Sequence, residues 1–412
     1  MKFQKINIDD WKQFKKIDID FHPNLTVLTG ANGSGKTTIL NLLARHFGWH
    51  INELATPAKD KKTGFFKFFN RWFKTEEVKT SNQIGKIVYS NGVTAILNIP
   101  VDNNQAQYNI DISNLQAVLG LNIPSHRPVF FYQPVPHIST QKRTKRQAYD
   151  LVYSSTYNKM YSESSGKTTN FYIKETLLNW AMGGNGNEFI EPDEELRSYF
   201  LGFEEVLKKI LPESLGFKGI SIRSYEIVLI TDTGEFMLDA VSGGISAIID
   251  LGWQIFNYSA QSDTSITVLI DEIENHLHAT MQRSILPSII NAFPNVQFIV
   301  STHSPLIVGS VKDSNVYAFR YNEDKKIYNE YLDLINKAKT ANEILNEVLG
   351  VPFTMPIWVE NSLNNIVEKY SSHEVSSEIF KEMRAELKLL GLENLMPTAM
   401  DKTIEKLDDK NK

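Results

Sequence analysis

A glycine-rich run between residues 30 and 38 has the residue types that a phosphate-binding loop needs. Its glycines let backbone N–H groups converge on phosphate oxygens, and the N-terminus of a following helix adds a favourable field. We expect Lys36 to reach the β- and γ-phosphates and Thr37 to ligate Mg²⁺. The alternative, a glycine turn before an ordinary helix, is disfavoured because the complete motif lies between an apolar strand and a helix. The predicted nucleotide-binding residues are Gly30, Ala31, Asn32, Gly33, Ser34, Gly35, Lys36, Thr37 and Thr38.

Two neighbouring carboxylates follow the apolar run at residues 267–270. Parallel strands end at the edge of a sheet where ligands bind, so Asp271 and Glu272 are expected to face the nucleotide. Asp271 would hold the magnesium shell, and Glu272 would orient or deprotonate the attacking water. A solvated turn is the alternative for two acids alone, but the glycine-rich run favours the catalytic interpretation.

A hydroxyl and two glycines, at Ser242, Gly243 and Gly244, precede an apolar helix predicted from Ile245. This arrangement repeats the idea of a phosphate cradle at a helix N-terminus. The tripeptide alone is a weak signal. Its place shortly before the acidic strand makes it a candidate for a second phosphate contact.

The elements that must carry these residues alternate between strand and helix. Apolar residues cluster at 25–29, directly before the glycine-rich run, and a helix is predicted at 38–47. Strand and helix also alternate later in the chain, which favours a mostly parallel core sheet. The predicted fold class is α/β, with an antiparallel β-lobe at 84–135, a helical insertion at 149–211 and the second half of the site at 221–310.

The composition is that of an ordinary globular protein and limits the function classes. The chain has 412 residues, no cysteine and a net charge of −5, so any nucleic-acid-binding surface must be local. The lack of cysteine excludes disulfides and thiolate zinc sites. No run of about 18 apolar residues occurs, so we expect no membrane span and a cytoplasmic location.

The order of the motifs resembles the head of an ABC-type ATPase, a P-loop NTPase. That order is the glycine-rich loop, a glutamine after the β-lobe (Gln133), the Ser-Gly-Gly turn, the strand ending in Asp-Glu, and a histidine after the next strand (His303). The stretches DEIENHLHATMQ and STHSP resemble more narrowly the OLD (overcoming lysogenization defect) and SMC-like branch. That branch includes anti-phage ATPases of Septu and retron-associated systems. The resemblance covers residues 1–48 and 120–310.

The resemblance implies that ATP and Mg²⁺ are the cofactors and that each site is shared between two copies of the chain. Ser242–Gly244 would bind the γ-phosphate held by the opposite protomer, and Glu274–His278 would cross the interface. His303 would contact the γ-phosphate. Gln133 would bind magnesium and the attacking water, with an ordinary surface glutamine as the alternative.

Two basic stretches are candidates for nucleic-acid contacts. Lys59–Lys74 combines six basic with six aromatic residues, and basic groups beside exposed rings hold phosphates and stacked bases. The alternatives are rings packed beneath the β-lobe, a membrane surface and a partner-protein interface. Lys142–Arg146 is a second basic run, for which a solvated face is the alternative.

The chain is predicted to divide into a head, 1–333, and a helical region, 334–412, that docks a partner. OLD-family nucleases append a TOPRIM domain, for which the sequence after His303 has neither the D-x-D pattern nor the room, so no nuclease activity is expected. The resemblance favours a dimer or higher oligomer that acts as an ATP-driven switch on a separately encoded effector in phage defence. The alternatives are a DNA-maintenance ATPase of the SMC or recombination type, disfavoured by the lack of long heptad arms, and a slowly hydrolysing scaffold.

Overall fold

Three strands lead to the glycine-rich loop: β1 (Phe3–Trp11), β2 (Phe14–Asp20) and β3 (Leu25–Gly30). β1 and β2 pair antiparallel with Ile6 opposite Ile19, because alternation places their apolar side chains on one face. β3 is buried along its whole length. The computed structural model of the chain describes residues 1–59, 66–69, 83–100, 106–161, 166–259, 265–349, 355–371 and 377–410.

The other described elements follow in chain order. The strands are β4 (Glu53–Leu54), β5 (Thr56–Lys59), β6 (Phe66–Phe69), β7 (Gln83–Tyr89), β8 (Thr94–Asn98), β9 (Gln107–Tyr108), β10 (Asp111–Ser113), β11 (Gly120–Ile123), β12 (Phe217–Arg223), β13 (Glu226–Thr231), β14 (Gly234–Met237), β15 (Thr267–Ile270), β16 (Gln297–Thr302), β17 (Asn315–Tyr321) and β18 (Ile327–Tyr331). The α-helices are α1 (Lys36–Ala44), α2 (Lys145–Tyr161), α3 (Thr169–Asn185), α4 (Glu194–Ile210), α5 (Gly243–Ser259), α6 (Ala279–Ala292), α7 (Pro305–Val308), α8 (Leu334–Lys337), α9 (Ala341–Glu343), α10 (Ile357–Tyr370), α11 (Ser377–Leu389) and α12 (Met396–Lys410).

Eleven of the described strands form one sheet, in the order β10-β8-β7-β1-β2-β18-β17-β3-β16-β15-β11. Its core is parallel, because β3 pairs with β16 and β17, β16 with β15, and β15 with β11, all in the same direction. The carboxyl ends of β3, β15 and β16 therefore meet at one edge of the sheet. The predicted α/β class with a parallel core is confirmed.

The region predicted as an antiparallel β-lobe, 84–135, is divided between the two edges of this sheet. β7 pairs antiparallel with β1, and β8 with β7 and β10. β11 leaves this group and lies parallel to β15 at the opposite edge. Residues 124–144 contain no helix or strand. Pro128, Pro134 and Pro136 in this segment lack the N–H groups that a strand ladder needs.

Helices α2, α3 and α4 occupy the region of the predicted helical insertion. The N-terminus of α4 is capped by Asp193, whose carboxylate accepts backbone N–H bonds from Glu195 and Leu196 at 3.0 and 3.2 Å. Trp180 of α3 stacks on Trp253 of α5, with ring centroids 5.2 Å apart. The apolar faces of the insertion thus pack on the helix that follows Ser242–Gly244.

The chain divides into two compact units, Met1–Ile344 and Leu345–Lys412. The predicted boundary, after residue 333, comes earlier in the chain than the observed one, and α8 belongs to the first unit. Within that unit, the Lys337 ammonium of α8 donates to the Ser314 carbonyl at 2.8 Å. In the second unit, α10, α11 and α12 pack around a small apolar core. Among the described residues, no helix combines the length and apolar character needed to cross a membrane.

Candidate nucleotide-binding site

The glycine-rich loop, the acidic strand end and the histidine strand end meet at one cavity of about 350 Å³. Lys36 and Thr37 begin α1, Glu272 follows β15, and His303 follows β16. The parallel pairing of β3, β16 and β15 brings these three chain segments together. The cavity is lined by Gln13, Asn32, Gly33, Gly35, Lys36, Thr37, Thr38, Glu272 and His303.

The glycines at 30 and 35 are required by the path of the backbone. Gly30 has φ +142°, and a Cβ there would lie 2.7 Å from the carbonyl oxygen of Phe319. Gly35 has φ +86°, and its Cβ would lie 2.3 Å from the ring of Phe14. Both positions have backbone conformations that only glycine adopts at low cost. The loop is thus held against β17 and β2.

Lys36 lies beneath the loop and is only 5% exposed. Its ammonium donates to the carbonyl oxygens of Gly30 and Ala31 at 3.0 and 3.1 Å and lies 3.5 Å from Nδ1 of His303. Burial lowers the pKa of Lys36 to about 8, and the nearby carboxylates offset part of this effect. A phosphate at this position would supply the negative charge that the buried ammonium needs.

Thr37 and Asp271 form an oxygen-rich pair that fits Mg²⁺. The Thr37 hydroxyl lies 3.1 and 3.0 Å from the two carboxylate oxygens of Asp271, and the Ser301 hydroxyl donates to the first of these oxygens. Mg²⁺ is bound by one or two carboxylates together with phosphates and water. Within the described ranges, no group of three His, Cys, Asp or Glu residues forms a protein-only metal site, at His276 and His278 or elsewhere.

Glu272 is held at the cavity in a fixed orientation. Its backbone has φ +45°, and its N–H donates to the Ser301 hydroxyl at 2.8 Å. The Asn275 side-chain amide donates to Glu272 Oε2 at 2.7 Å, while Nε2 of His303 lies 3.7 Å from Oε1. Glu272 and His303 therefore face the same point of the cavity, as a water-activating carboxylate and a γ-phosphate ligand would.

Arg127, which was not predicted as a site residue, organises this loop. Its guanidinium donates to the backbone carbonyls of Asp271, Glu272, Ile273 and Asn275 at 3.0–3.3 Å. Burial lowers the pKa of Arg127 to about 10, against the opposing effect of nearby carboxylates, of which Asp250 is the largest contributor. No motif marks this arginine in the sequence. Its only signal is a basic residue within an otherwise uncharged run.

Ser242, Gly243 and Gly244 do not line the cavity. Ser242 is exposed at the N-terminus of α5. A Cβ at Gly244 would lie 3.0 Å from the carbonyl oxygen of His276, so this turn lies against the loop 274–278. The two segments that the resemblance assigns to an interface are thus neighbours, outside the cavity of their own chain.

Gln133 is not among the cavity-lining residues. Its side-chain oxygen accepts hydrogen bonds from the Thr168 hydroxyl at 2.7 Å and from the Thr168 N–H at 3.0 Å. This side chain therefore binds the N-terminus of α3 instead of pointing at Lys36 or Asp271. Its role toward magnesium and water stays a prediction. Gln13, which was not predicted, does line the cavity.

The basic run Lys142–Arg146 is engaged within the chain. Lys142 pairs with Asp193 at 2.7 Å and Glu195 at 2.5 Å, and Arg143 pairs with Glu175 at 2.7 Å. The ammonium of Lys145 lies 3.4 Å from the centre of the Phe256 ring, and burial lowers its pKa to about 8. Arg146 pairs with Asp150 at 3.0 Å.

These contacts do not favour a nucleic-acid site at Lys142–Arg146, since each cationic head already has a protein partner. The other basic stretch, Lys59–Lys74, lies largely outside the described residues. Its contact with nucleic acid stays a prediction.

Two models of known protein families match this chain. A model described as "AAA ATPase domain" matches residues 1–175, and one described as "AAA domain, putative AbiEii toxin, Type IV TA system" matches residues 139–309. Two proteins named Septu protein PtuA, from Bacillus thuringiensis and Bacillus mycoides, are 27% and 23% identical over 42% and 89% of this chain. The "Retron Vc95 probable ATPase" of Vibrio cholerae is 23% identical over 77% of this chain and 73% of its own length.

The homologues of this chain include Septu PtuA proteins and retron ATPases. The predicted resemblance to this group is confirmed. The chain spans about half the length of the PtuA relatives, 46% in each case. Among solved structures, the SMC head domain from Thermotoga maritima aligns with 81% of this chain and 100% of its own length, at 13% identity and a TM-score of 0.42.

Proposed function

We propose that this chain binds ATP with Mg²⁺ in the cavity and hydrolyses it: water attacks the γ-phosphorus, and ADP leaves with the bridging oxygen. The observation that carries the proposal is the convergence of Lys36, Thr37, Glu272 and His303 on one cavity. Lys36 is a cation that can bind phosphate, and Thr37 is a ligand for magnesium. Glu272 is a general base for the attacking water, and His303 is a polar contact for the γ-phosphate. The matches to the two AAA family models support the same activity.

Each residue has a separate task in this proposal. Lys36 neutralises the β- and γ-phosphate oxygens, and the loop N–H groups orient them. Thr37 and Asp271 hold Mg²⁺, which neutralises charge on the phosphate oxygens when bound. Glu272, oriented by the amide of Asn275, accepts the proton of the attacking water or aligns that water. His303 stabilises the charge that develops on the γ-phosphate.

The site is proposed to be completed by a second copy of the chain. Ser242 is exposed, and Gly244 lies against the carbonyl of His276, so a hydroxyl, two glycines and a helix N-terminus lie outside the cavity of their own chain. A helix N-terminus with an exposed hydroxyl suits an anion. ATP would therefore join two copies, and hydrolysis would let them separate.

The cycle of joining and separation is proposed to control a separately encoded effector in anti-phage defence. The names of the relatives, Septu and retron, support this setting. A second unit, Leu345–Lys412, with its own apolar core is a candidate for docking the effector.

The test is phage challenge of cells that carry the gene with its native neighbours, comparing wild type with Lys36→Ala and Glu272→Gln. Loss of protection in both variants is expected, together with loss of ATP turnover in the purified proteins. As a control we choose Glu330→Gln, on β18, which should retain protection. Full protection by both site variants would overturn the switch, and DNA-stimulated hydrolysis without any effector would favour a DNA-maintenance role instead.

A further inference from the structure

Helix α3 contains a buried lysine, Lys174, that does not line the nucleotide cavity. The side chains of Lys174 and Asp239 are each only 1% exposed, and the two form an ion pair. A second carboxylate, that of Glu226, lies 3.3 Å from the same ammonium. Ions withdrawn from water this completely must be paired, so the position of Asp239 is tied to that of α3.

Asp239 lies in the short 3-10 turn Leu238–Ala240, which leads directly into Ser242. The side-chain amide of Asn170, also on α3, donates to the other oxygen of the Asp239 carboxylate. Both oxygens are therefore held by one helix. Because few residues separate Asp239 from Ser242, the path of the chain into the Ser-Gly-Gly turn follows from this attachment.

The same end of α3 holds the segment that contains Gln133. Asn170 donates to the carbonyl of Phe131 at 2.7 Å, and Thr168 donates to the side-chain oxygen of Gln133 at 2.7 Å. This segment begins at Arg127, which binds the carbonyls around Glu272. Helix α3 thus contacts both the turn before Ser242 and the segment 127–133, whose Arg127 is hydrogen-bonded to the loop that carries Glu272.

We propose that Lys174 and Asn170 are positioning residues that set the Ser242–Gly244 turn through Asp239. The proposal rests on the shared site proposed above. In that arrangement the turn serves the nucleotide of the second copy. Loss of the Asp239 attachment therefore impairs the partner's site and leaves the cavity of its own chain intact.

The first variant is Asp239→Asn, which keeps the shape of the side chain and removes its charge. Glu226 remains near the ammonium of Lys174, so a counter-charge is retained. We expect turnover to fall between about 10- and 100-fold, the effect of a small misplacement of a catalytic contact, while ATP binding to the single chain is unchanged. The matched control is Glu226→Gln, which removes the other carboxylate from the same lysine and should stay near wild-type turnover.

Mixed dimers distinguish positioning from a general loss of structure. Asp239→Asn mixed with Lys36→Ala gives one site with an intact loop and an intact turn, so turnover should recover. Asp239→Asn mixed with Ser242→Arg leaves a damaged turn at both sites, so it should not recover. The reference pair is Lys36→Ala with Ser242→Arg. Recovery in this reference pair establishes the shared site independently of Asp239.

Failure of the reference pair to recover would overturn the shared site and, with it, the role of Asp239. Recovery of the reference pair without recovery of Asp239→Asn with Lys36→Ala would overturn only the positioning role. Wild-type turnover of Asp239→Asn would do the same. If Asp239→Asn fails to fold, Asn170→Ala takes its place in the same mixtures with the same outcomes. This variant removes no charge, and it removes the hydrogen bonds from Asn170 to the Asp239 carboxylate and to the Phe131 carbonyl.

Discussion

The hydroxyl of Thr37 lies 3.0 and 3.1 Å from the two carboxylate oxygens of Asp271, across the gap between α1 and β15. The two residues are far apart in sequence and meet because β3 and β15 both pair in parallel with β16. These are the two residues proposed to hold Mg²⁺. The Ser301 hydroxyl donates to the Asp271 carboxylate and accepts from the backbone N–H of Glu272, the residue proposed to activate water.

Asp271→Asn is expected to weaken the binding of Mg²⁺ in the presence of ATP, because the neutral amide cannot replace an anionic ligand. The Mg²⁺ affinity should fall by at least about 10-fold, the smallest typical effect of removing even an outer-shell partner of a metal ligand. ATP binding without Mg²⁺ should be unaffected, since Lys36 and the loop are intact. Titration of Mg²⁺ against a fluorescent ATP analogue measures both. Asp111→Asn on β10 is the control, and equal Mg²⁺ affinities of the two variants would contradict the assignment.

Gly35→Ala is expected to destabilise the loop by about 2–4 kcal/mol, because left-handed strain adds to an overlap with the ring of Phe14. Gly92→Ala is the matched control. Gly92 has φ +80°, similar to the +86° of Gly35, but no atom lies within 4 Å of its Cβ position. The free energy of unfolding of the Gly92→Ala control should fall by only about 1 kcal/mol. Urea unfolding of both variants provides the comparison, and equal losses would show that the Phe14 contact does not matter.

Arg127→Met is expected to lower the free energy of unfolding by about 3 kcal/mol, because four backbone carbonyls, in two buried and two partly buried hydrogen bonds, lose their donor. Turnover should fall as well, since the loop that carries Glu272 loses its support. Arg223→Met is the control, because that arginine is exposed and pairs with Glu235 at the surface. It should change stability by less than about 1 kcal/mol. A stable and fully active Arg127→Met variant would contradict this account of the loop.

His46 is expected to make the fold sensitive to acid. Burial lowers its pKa to about 4, against the opposing effect of a hydrogen bond with the Leu43 carbonyl. Between its ordinary value of 6.5 and about 4, the unfolded chain binds a proton that the folded chain does not, so stability falls as pH falls. The loss is on the order of 2 kcal/mol.

The measurement for His46 is the free energy of unfolding at pH 7 and at pH 4.5, in wild type and in His46→Gln. The variant cannot titrate and should lose less stability between the two pH values. Identical pH dependence in the two proteins would show that His46 is not the responsible group.

The sequence by itself determined the parts of this protein whose chemistry is local. Motifs of adjacent residues indicated the glycine-rich loop, the acidic strand end, the Ser-Gly-Gly turn and the histidine. The order of strands and helices implied the parallel core. The tertiary structure decided which distant partners meet. Arg127 binds carbonyls 144–148 residues away, and Lys142 meets Asp193 and Glu195. Gln133 is directed to Thr168. Such pairings depend on where packed helices and strands bring side chains together, and periodicity or charge along the chain does not contain that information.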